Sequence, residues 1–445
     1  MIENLDKLTA ISFSMLIFAQ AYLVRRIVGT WIFPACLFSL AWFVYTFFPL
    51  VVLFSVPVEP LSIAFIFLCT FLFSLSALAF NWPKAFDANE QKTHDDAARF
   101  DSGFLRGLFY FSSITAIGST VVSIGINGFD LTSMIFDLLE TSGRYAAMRG
   151  QGDIDYGNWG RSSIVFTYIA ATLGGFIYYK SQKSLSKICV ILVAFLPSVF
   201  VVLTQSAKLI LFLSLGFFCS AMLIRKIYDN QFKLISGKLF LQVVVGALLL
   251  LPLLAVSFLS RAVSSSEDGV VSAVSTSLFS YALAHVYAFS DWFSHYFKGE
   301  SVQDYVDNYY AYGNYTFQSI YELLGDGVTF PPGVYDEYFS YENLFTSNLY
   351  TIFRGLIYDF GSGGALIFMF ACGLVVHAFY YRLLVLNSSW VACVVFIISF
   401  VSFQSSFIIS IFMARYMYLI GIVLIIFLYV NDIIWRRGAR PVHVV

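Results

Sequence analysis

The chain is built from a succession of apolar windows, each about 18 to 25 residues long and free of charge, and that feature leaves few folds open to it. A helix of that length crosses the roughly 30 Å of a bilayer's hydrocarbon. Of 445 residues, 59% are hydrophobic and 12% charged, whereas about a quarter are charged in ordinary soluble proteins. So few charges cannot cover a soluble globule. The pattern predicts an all-α polytopic transmembrane helix bundle, a single integral membrane domain over 1–445 with about eleven spans. They fall near 8–24, 31–55, 60–80, 105–126, 162–179, 188–204, 207–224, 239–260, 361–381, 388–410 and 415–434. Between Val391 and Val430 the chain is apolar almost without break, so the last turn alternatively sits at Gln404-Ser405-Ser406.

Orientation follows from the lysines and arginines, which collect on the cytoplasmic face of membrane proteins. All but nine of the 26 basic residues fall on one face of the eleven-span layout. The exceptions are Lys7, Arg144, Arg149, Arg161, Lys208, Arg261, Lys298, Arg354 and Arg415. An odd number of spans puts the N-terminus outside and the C-terminus in the cytoplasm. Residues 81–103 become a solvated, mobile cytoplasmic loop, 128–160 the first outer loop and 261–360 a large outer loop. The first apolar segment follows the acidic MIENLD and precedes Arg25 and Arg26, the reverse of a cleaved signal, so it is expected to stay as a helix. A net charge of −1 and the lack of any basic tract give no sign of a nucleic-acid partner. The six cysteines sit in apolar runs without metal-type spacing, which suits small packing residues and implies no metal.

Cations on the outer face run against the usual bias and need a reason. Arg144 lies four residues after Glu140 and can pair with it on a helix, whereas Arg149 has no such acid on its own face. Lys208 opens the seventh predicted helix, where a cation opposes the helix dipole but an anion is welcome; the bland alternative is a lysine stem reaching for headgroups. Thr346, Tyr350, Arg354 and Tyr358 recur every four residues, so a helix would gather them into one polar stripe at the membrane edge. A charge there is costly unless paired or used, and Asp359 or Glu342 are possible structural partners. Arg415 interrupts the last apolar stretch with no acid close in sequence, and takes either a distant aspartate or an anionic ligand.

The segment Ser275 to Phe297 has the composition of an interfacial or re-entrant helix. Its His285 is the first choice for a proton-transfer group, with Asp291, Asp153, Asp155 and Glu140 as alternatives. Further on, DNYYAYGNYTFQSIY and PPGVYDEYFSYEN mix aromatic faces with acids and amides, which suits either sugar stacking or a belt at the headgroups.

Several of these stretches resemble the bacterial oligosaccharide repeat-unit polymerases, the Wzy-type O-antigen polymerase family. They are SGRYAAMRG, TQSAKLILFLSLG, NLYTIFRGLIYDFGSGGALIFMFACGL and, more weakly, FMARYMYLIG. The resemblance implies a GT-C-like membrane glycosyltransferase in the bacterial inner membrane. Such an enzyme moves a growing glycan from undecaprenyl diphosphate onto a new undecaprenyl-diphosphate-linked repeat unit, on the periplasmic side, for lipopolysaccharide biosynthesis. It further implies no metal or other cofactor, and a co-polymerase that sets chain length. Arg144, Arg149, Lys208, Arg354 and Arg415 then become diphosphate-binding candidates, His285 the general base, and Tyr350, Tyr358 and Trp292 the sugar-binding candidates. Lys208 departs from the arginine common in relatives, which leaves a point charge but no bidentate fork. An O-antigen ligase uses the same donor and architecture and is the nearest rival; a lipid-linked oligosaccharide flippase or transporter is another, although no internal repeat is visible.

Overall fold

Ten of the eleven predicted spans have a helical counterpart in the structure, a computed structural model that describes residues 2–92, 97–130, 132, 136–180, 184–234, 270–306, 311–325, 334–342 and 344–438. The predicted span 239–260 lies outside the described residues. Among the described residues nine helices are long and apolar enough to cross a membrane, and a shorter apolar one covers Trp390–Ser405. Among the described residues the only sheet is a two-stranded hairpin. The protein is therefore an all-α, multi-pass membrane protein. Its chain divides into two compact units, each assembled from separate stretches of sequence.

The first unit takes Met1–Phe80, Glu267–Ala378 and Ser402–Arg415. Helices α1 (Ile2–Val28), α2 (Pro34–Val52) and α3 (Pro60–Leu75) pack together. Pro34 and Pro60 stand at the first helical position, where a missing N–H costs nothing. Polar side chains join these helices where water cannot. Ser14 and Thr46 share a hydrogen bond of 2.6 Å, and Gln20 Nε2 donates to Ser39 Oγ, Ser74 Oγ and the Thr70 carbonyl. In lipid such bonds tie helices together, because neither partner has a solvent alternative.

The segment expected as one interfacial helix is two, α10 (Val270–Ala282) and α11 (Ala284–Lys298), which meet at Leu283. After them come α12 (Asn314–Leu324) and the antiparallel pair β1 (Phe339–Tyr341) and β2 (Phe345–Ser347). The long α13 (Thr351–Val385) follows, and at Gly361 it breaks with φ 72° and ψ 168°, a conformation open to glycine alone. The predicted span 361–381 is thus the second part of a longer element whose first three turns carry Arg354.

The second unit takes Asn81–Ser266, Phe379–Val401 and Tyr416–Val445. It contains α4 (Trp82–Glu90), α5 (Gly103–Ile126), α6 (Leu138–Gln151), α7 (Gly157–Lys180), α8 (Ser184–Gln205) and α9 (Lys208–Tyr228). With them belong most of α14 (Trp390–Ser405) and of α15 (Arg415–Gly438). α14 stops at Ser405, the earlier of the two turn positions the sequence allows. A Cβ on Gly174 would stand 2.6 Å from Ala194 Cβ, and one on Gly175 2.2 Å from the Phe218 carbonyl oxygen. The absence of side chains there lets α7 press directly on α8 and α9.

The described residues of the 81–103 stretch, 81–92 and 97–103, are not the solvated loop that their polarity suggests. Asn81 caps α4 by accepting from Lys84 N–H, and Trp82, Asn89, Lys92, Arg99 and Phe100 are all buried. Arg225 reaches Asp101 at 3.2 Å, Arg99 reaches Asp432 at 3.5 Å, and Lys92 Nζ donates to the Leu383 carbonyl. These charges face partners from distant stretches of chain, which no local reading of polarity can foresee.

Candidate functional site

Arg354 is wholly buried, at 0% exposure, one turn into α13. Its guanidinium carbon lies 4.1 Å from the Tyr350 ring centroid and 4.2 Å from that of Tyr335. Trp292 and Tyr358 stand at 5.3 Å and Tyr305 at 5.4 Å. Five aromatic faces therefore replace the water that a free guanidinium would hold, each a cation–π contact of about 0.5 to 2 kcal/mol. One nitrogen, Nη2, donates to Glu337 Oε2 at 3.0 Å and to the Tyr358 hydroxyl at 3.2 Å. The other two, Nε and Nη1, are buried and meet no acceptor among the described residues.

The sequence placed Tyr350, Arg354 and Tyr358 on one helical stripe with Thr346. The fold gathers the first three differently. Helix α13 starts only at Thr351, so Tyr350 approaches from the preceding turn, while Thr346 belongs to β2 and bonds Ser340 at 3.0 Å. The counter-charge is neither Asp359 nor Glu342 but Glu337, seventeen residues back. Asp359 instead accepts from the backbone N–H groups of Tyr315 and Thr316 and from the Thr316 hydroxyl. Sequence reasoning missed Glu337, Tyr335 and Tyr305, although PPGVYDEYF had drawn notice for its mix of rings and acids.

The three sugar-binding candidates all belong to this cage, and all are buried. Trp292 Nε1 donates to the Tyr358 hydroxyl at 2.9 Å, and the Tyr350 hydroxyl donates to the Glu337 carbonyl. Their faces turn to the guanidinium rather than to open space. Burial pushes the Tyr350 hydroxyl up to about 12 and that of Tyr335 well above the usual phenol range, with Arg354 opposing both shifts. The phenols nearest the cation therefore remain neutral donors at physiological pH.

His285 sits in α11 at 1% exposure. Its Nε2 is 2.9 Å from the Tyr45 carbonyl, its ring packs on Tyr45 and Phe407, and Nδ1 has no partner among the described residues. Burial lowers its pKa to about 4, against a small upward pull from the Tyr45 carbonyl. A neutral imidazole that donates one hydrogen bond among buried rings is a weak base.

The remaining cations divide between the two units. Arg415, at the head of α15 and in the first unit, is paired with Glu322 at 2.6 Å and is half exposed. Its acid is a glutamate 93 positions away, not an aspartate. Arg144, Arg149 and Lys208 belong to the second unit. The Glu140–Arg144 pair that a helix allows does not form; the exposed Arg144 guanidinium lies over the Phe129 ring at 5.5 Å. Arg149 donates to the Gln205 carbonyl at 3.2 Å, at the last residue of α8, and neighbours Tyr156. Lys208 is the first residue of α9, three positions further on. The structure thus brings Arg149 to the α8–α9 junction that Lys208 occupies.

Compared with protein-family models, with curated proteins and with solved structures, the chain finds no match.

Proposed function

We propose that this protein is a membrane glycosyltransferase that polymerises oligosaccharide repeat units at the outer face of the bacterial inner membrane. It transfers the growing glycan from undecaprenyl diphosphate to a hydroxyl of a new undecaprenyl-diphosphate-linked unit. In that step a C–O bond forms at the anomeric carbon, the bond to the diphosphate oxygen breaks, and undecaprenyl diphosphate leaves. The observation that carries the reading is Arg354: a permanent cation inside an aromatic cage, with donors on Nε and Nη1 that no described oxygen fills. Unfilled donors on a buried charge cost more than the roughly 1 to 3 kcal/mol of a neutral group. Phosphate oxygens accept strongly from guanidinium N–H groups, and one on each of Nε and Nη1 would remove that cost. Fixed cations also lower the barrier for a leaving diphosphate.

In this proposal Arg354 holds the diphosphate, and Arg415, in the same unit, is a further candidate to share its charge; Arg144, Arg149 and Lys208 are anion-binding candidates within the second unit. Tyr350, Tyr358 and Trp292 act on the guanidinium, holding it in place, rather than on sugar. The hydroxyl's proton passes to a carboxylate instead of His285, whose burial argues for a structural part. Glu337 is the acid nearest the cation, and a diphosphate oxygen that also took Nη2 would release it to accept the proton.

The test is direct. Purified protein in vesicles with undecaprenyl-diphosphate-linked repeat units should form a ladder of polymer, and Arg354→Lys should abolish it while leaving the protein folded. No polymer from the unaltered protein under any substrate tried, with substrate moved across the membrane instead, would identify a flippase. In cells, deletion should leave single repeat units on the lipid A core; a bare core would mark a ligase.

A further inference from the structure

Helix α12 carries an apolar edge that faces nothing among the described residues. Ile320, Leu323 and Leu324 stand at i, i+3 and i+4 on one face, with Leu323 84% and Leu324 72% exposed. We infer that this edge lies in the bilayer, inserted at the boundary between headgroups and acyl chains, and fixes the Arg354 cage at that depth.

Three observations specify lipid as the occupant. Phe317 packs on Phe368 with ring centroids 6.0 Å apart, and Phe368 lies seven residues beyond the Gly361 break, within the apolar span. The helix therefore reaches the hydrocarbon level of α13, whose own Ile367 is an exposed apolar residue beside that contact. At the other end, Glu322 pairs with Arg415, the residue at which the span of α15 begins, and Ser319 Oγ donates to the Met413 carbonyl. A charged pair beside an apolar edge is the arrangement of an interfacial helix, with its polar side turned to the headgroups.

The first turn of the helix, which precedes a kink at Phe317, is tied to α13. The Asp359 carboxylate accepts from the free N–H groups of its first turn and from Thr316 Oγ1. From the same turn, Tyr315 stacks on Tyr335 at 5.5 Å and lies 5.4 Å from Tyr358, two walls of the Arg354 cage. One short helix thus contacts the cage on one side and offers apolar side chains on the other. The inference does not depend on any reaction assigned to Arg354.

Photo-crosslinking of the full chain tests it. Benzoylphenylalanine replaces Leu323 in protein reconstituted into vesicles of phosphatidylethanolamine and phosphatidylglycerol, and adducts are weighed by intact-protein mass spectrometry. The same residue at Ile367 serves as the lipid-facing reference, and at the exposed Asp336 as the aqueous one. The expected result is a one-phospholipid mass increase at 323 in a yield within about threefold of 367, with none at 336. An adduct at 367 but not at 323 would overturn the inference. So would a crosslink from 323 to a second copy or to another part of this chain, since either shows protein covering the edge.

Discussion

At the scale of single residues, the contrast between Arg354 and Arg415 shows how burial sets what a charge is worth. Both are arginines near the start of an apolar helix, and both have a glutamate partner. Arg415 and Glu322 are solvated, and such pairs contribute about 0 to 1 kcal/mol. Arg415→Ala should therefore leave the melting temperature in detergent nearly unchanged, and any loss of polymer in that variant would report binding, not folding. Arg354→Ala strands Glu337 and empties a ring-lined space, and breaking a buried pair costs about 3 to 5 kcal/mol; a clear fall in melting temperature is expected. His285 adds a pH dependence. Its pKa falls from the ordinary 6.5 to about 4 in the folded protein, so between those values the unfolded chain binds more protons than the folded one. Stability contributed by the neutral ring is complete above pH 6.5 and declines as pH falls toward 4, by about 3 kcal/mol in all. His285→Asn should flatten that decline in melting experiments. It should also retain polymerisation, and an inactive but folded H285N protein would restore the histidine as the base.

Elements depend on where side chains are missing as much as on where they stand. Gly175 permits contact between α7 and α9 that a single methyl group would block, given 2.2 Å to a backbone oxygen. Gly175→Val should separate the two helices and cost several kcal/mol, on the order of other overpacked cores, seen as poor yield or early melting. Gly363 is the matched control, because a Cβ there meets nothing within 4 Å; Gly363→Ala should be neutral or stabilising by about 0.5 to 1 kcal/mol. Hydropathy predicted both helices without indicating their closeness. The spans themselves were legible because apolar length is a local property. The extra three turns of α13, the division of 275–297 at Leu283 and the docking of 81–103 were not, since each is fixed by contacts with residues far along the chain.

For the whole molecule, the count of spans decides which side each terminus occupies. The described residues supply nine long apolar helices and the shorter Trp390–Ser405, and 239–260 would make eleven. A reporter fused at the C-terminus should then read cytoplasm while one at the N-terminus reads the outer side; termini on the same side would mean an even number of crossings, with 239–260 or the short Trp390–Ser405 not spanning. By itself the sequence determined that lipid is the solvent, that the fold is helical, and which cations merit attention, since apolar windows and charge bias need no knowledge of neighbours. Only the tertiary structure decided that Glu337 faces Arg354, that Trp292, Tyr305 and Tyr335 join Tyr350 and Tyr358 around it, and that Arg415 is matched by Glu322. Those pairings come from side chains seventeen to almost a hundred positions apart, and a chain of helices can bring such residues together in many ways until packing selects one.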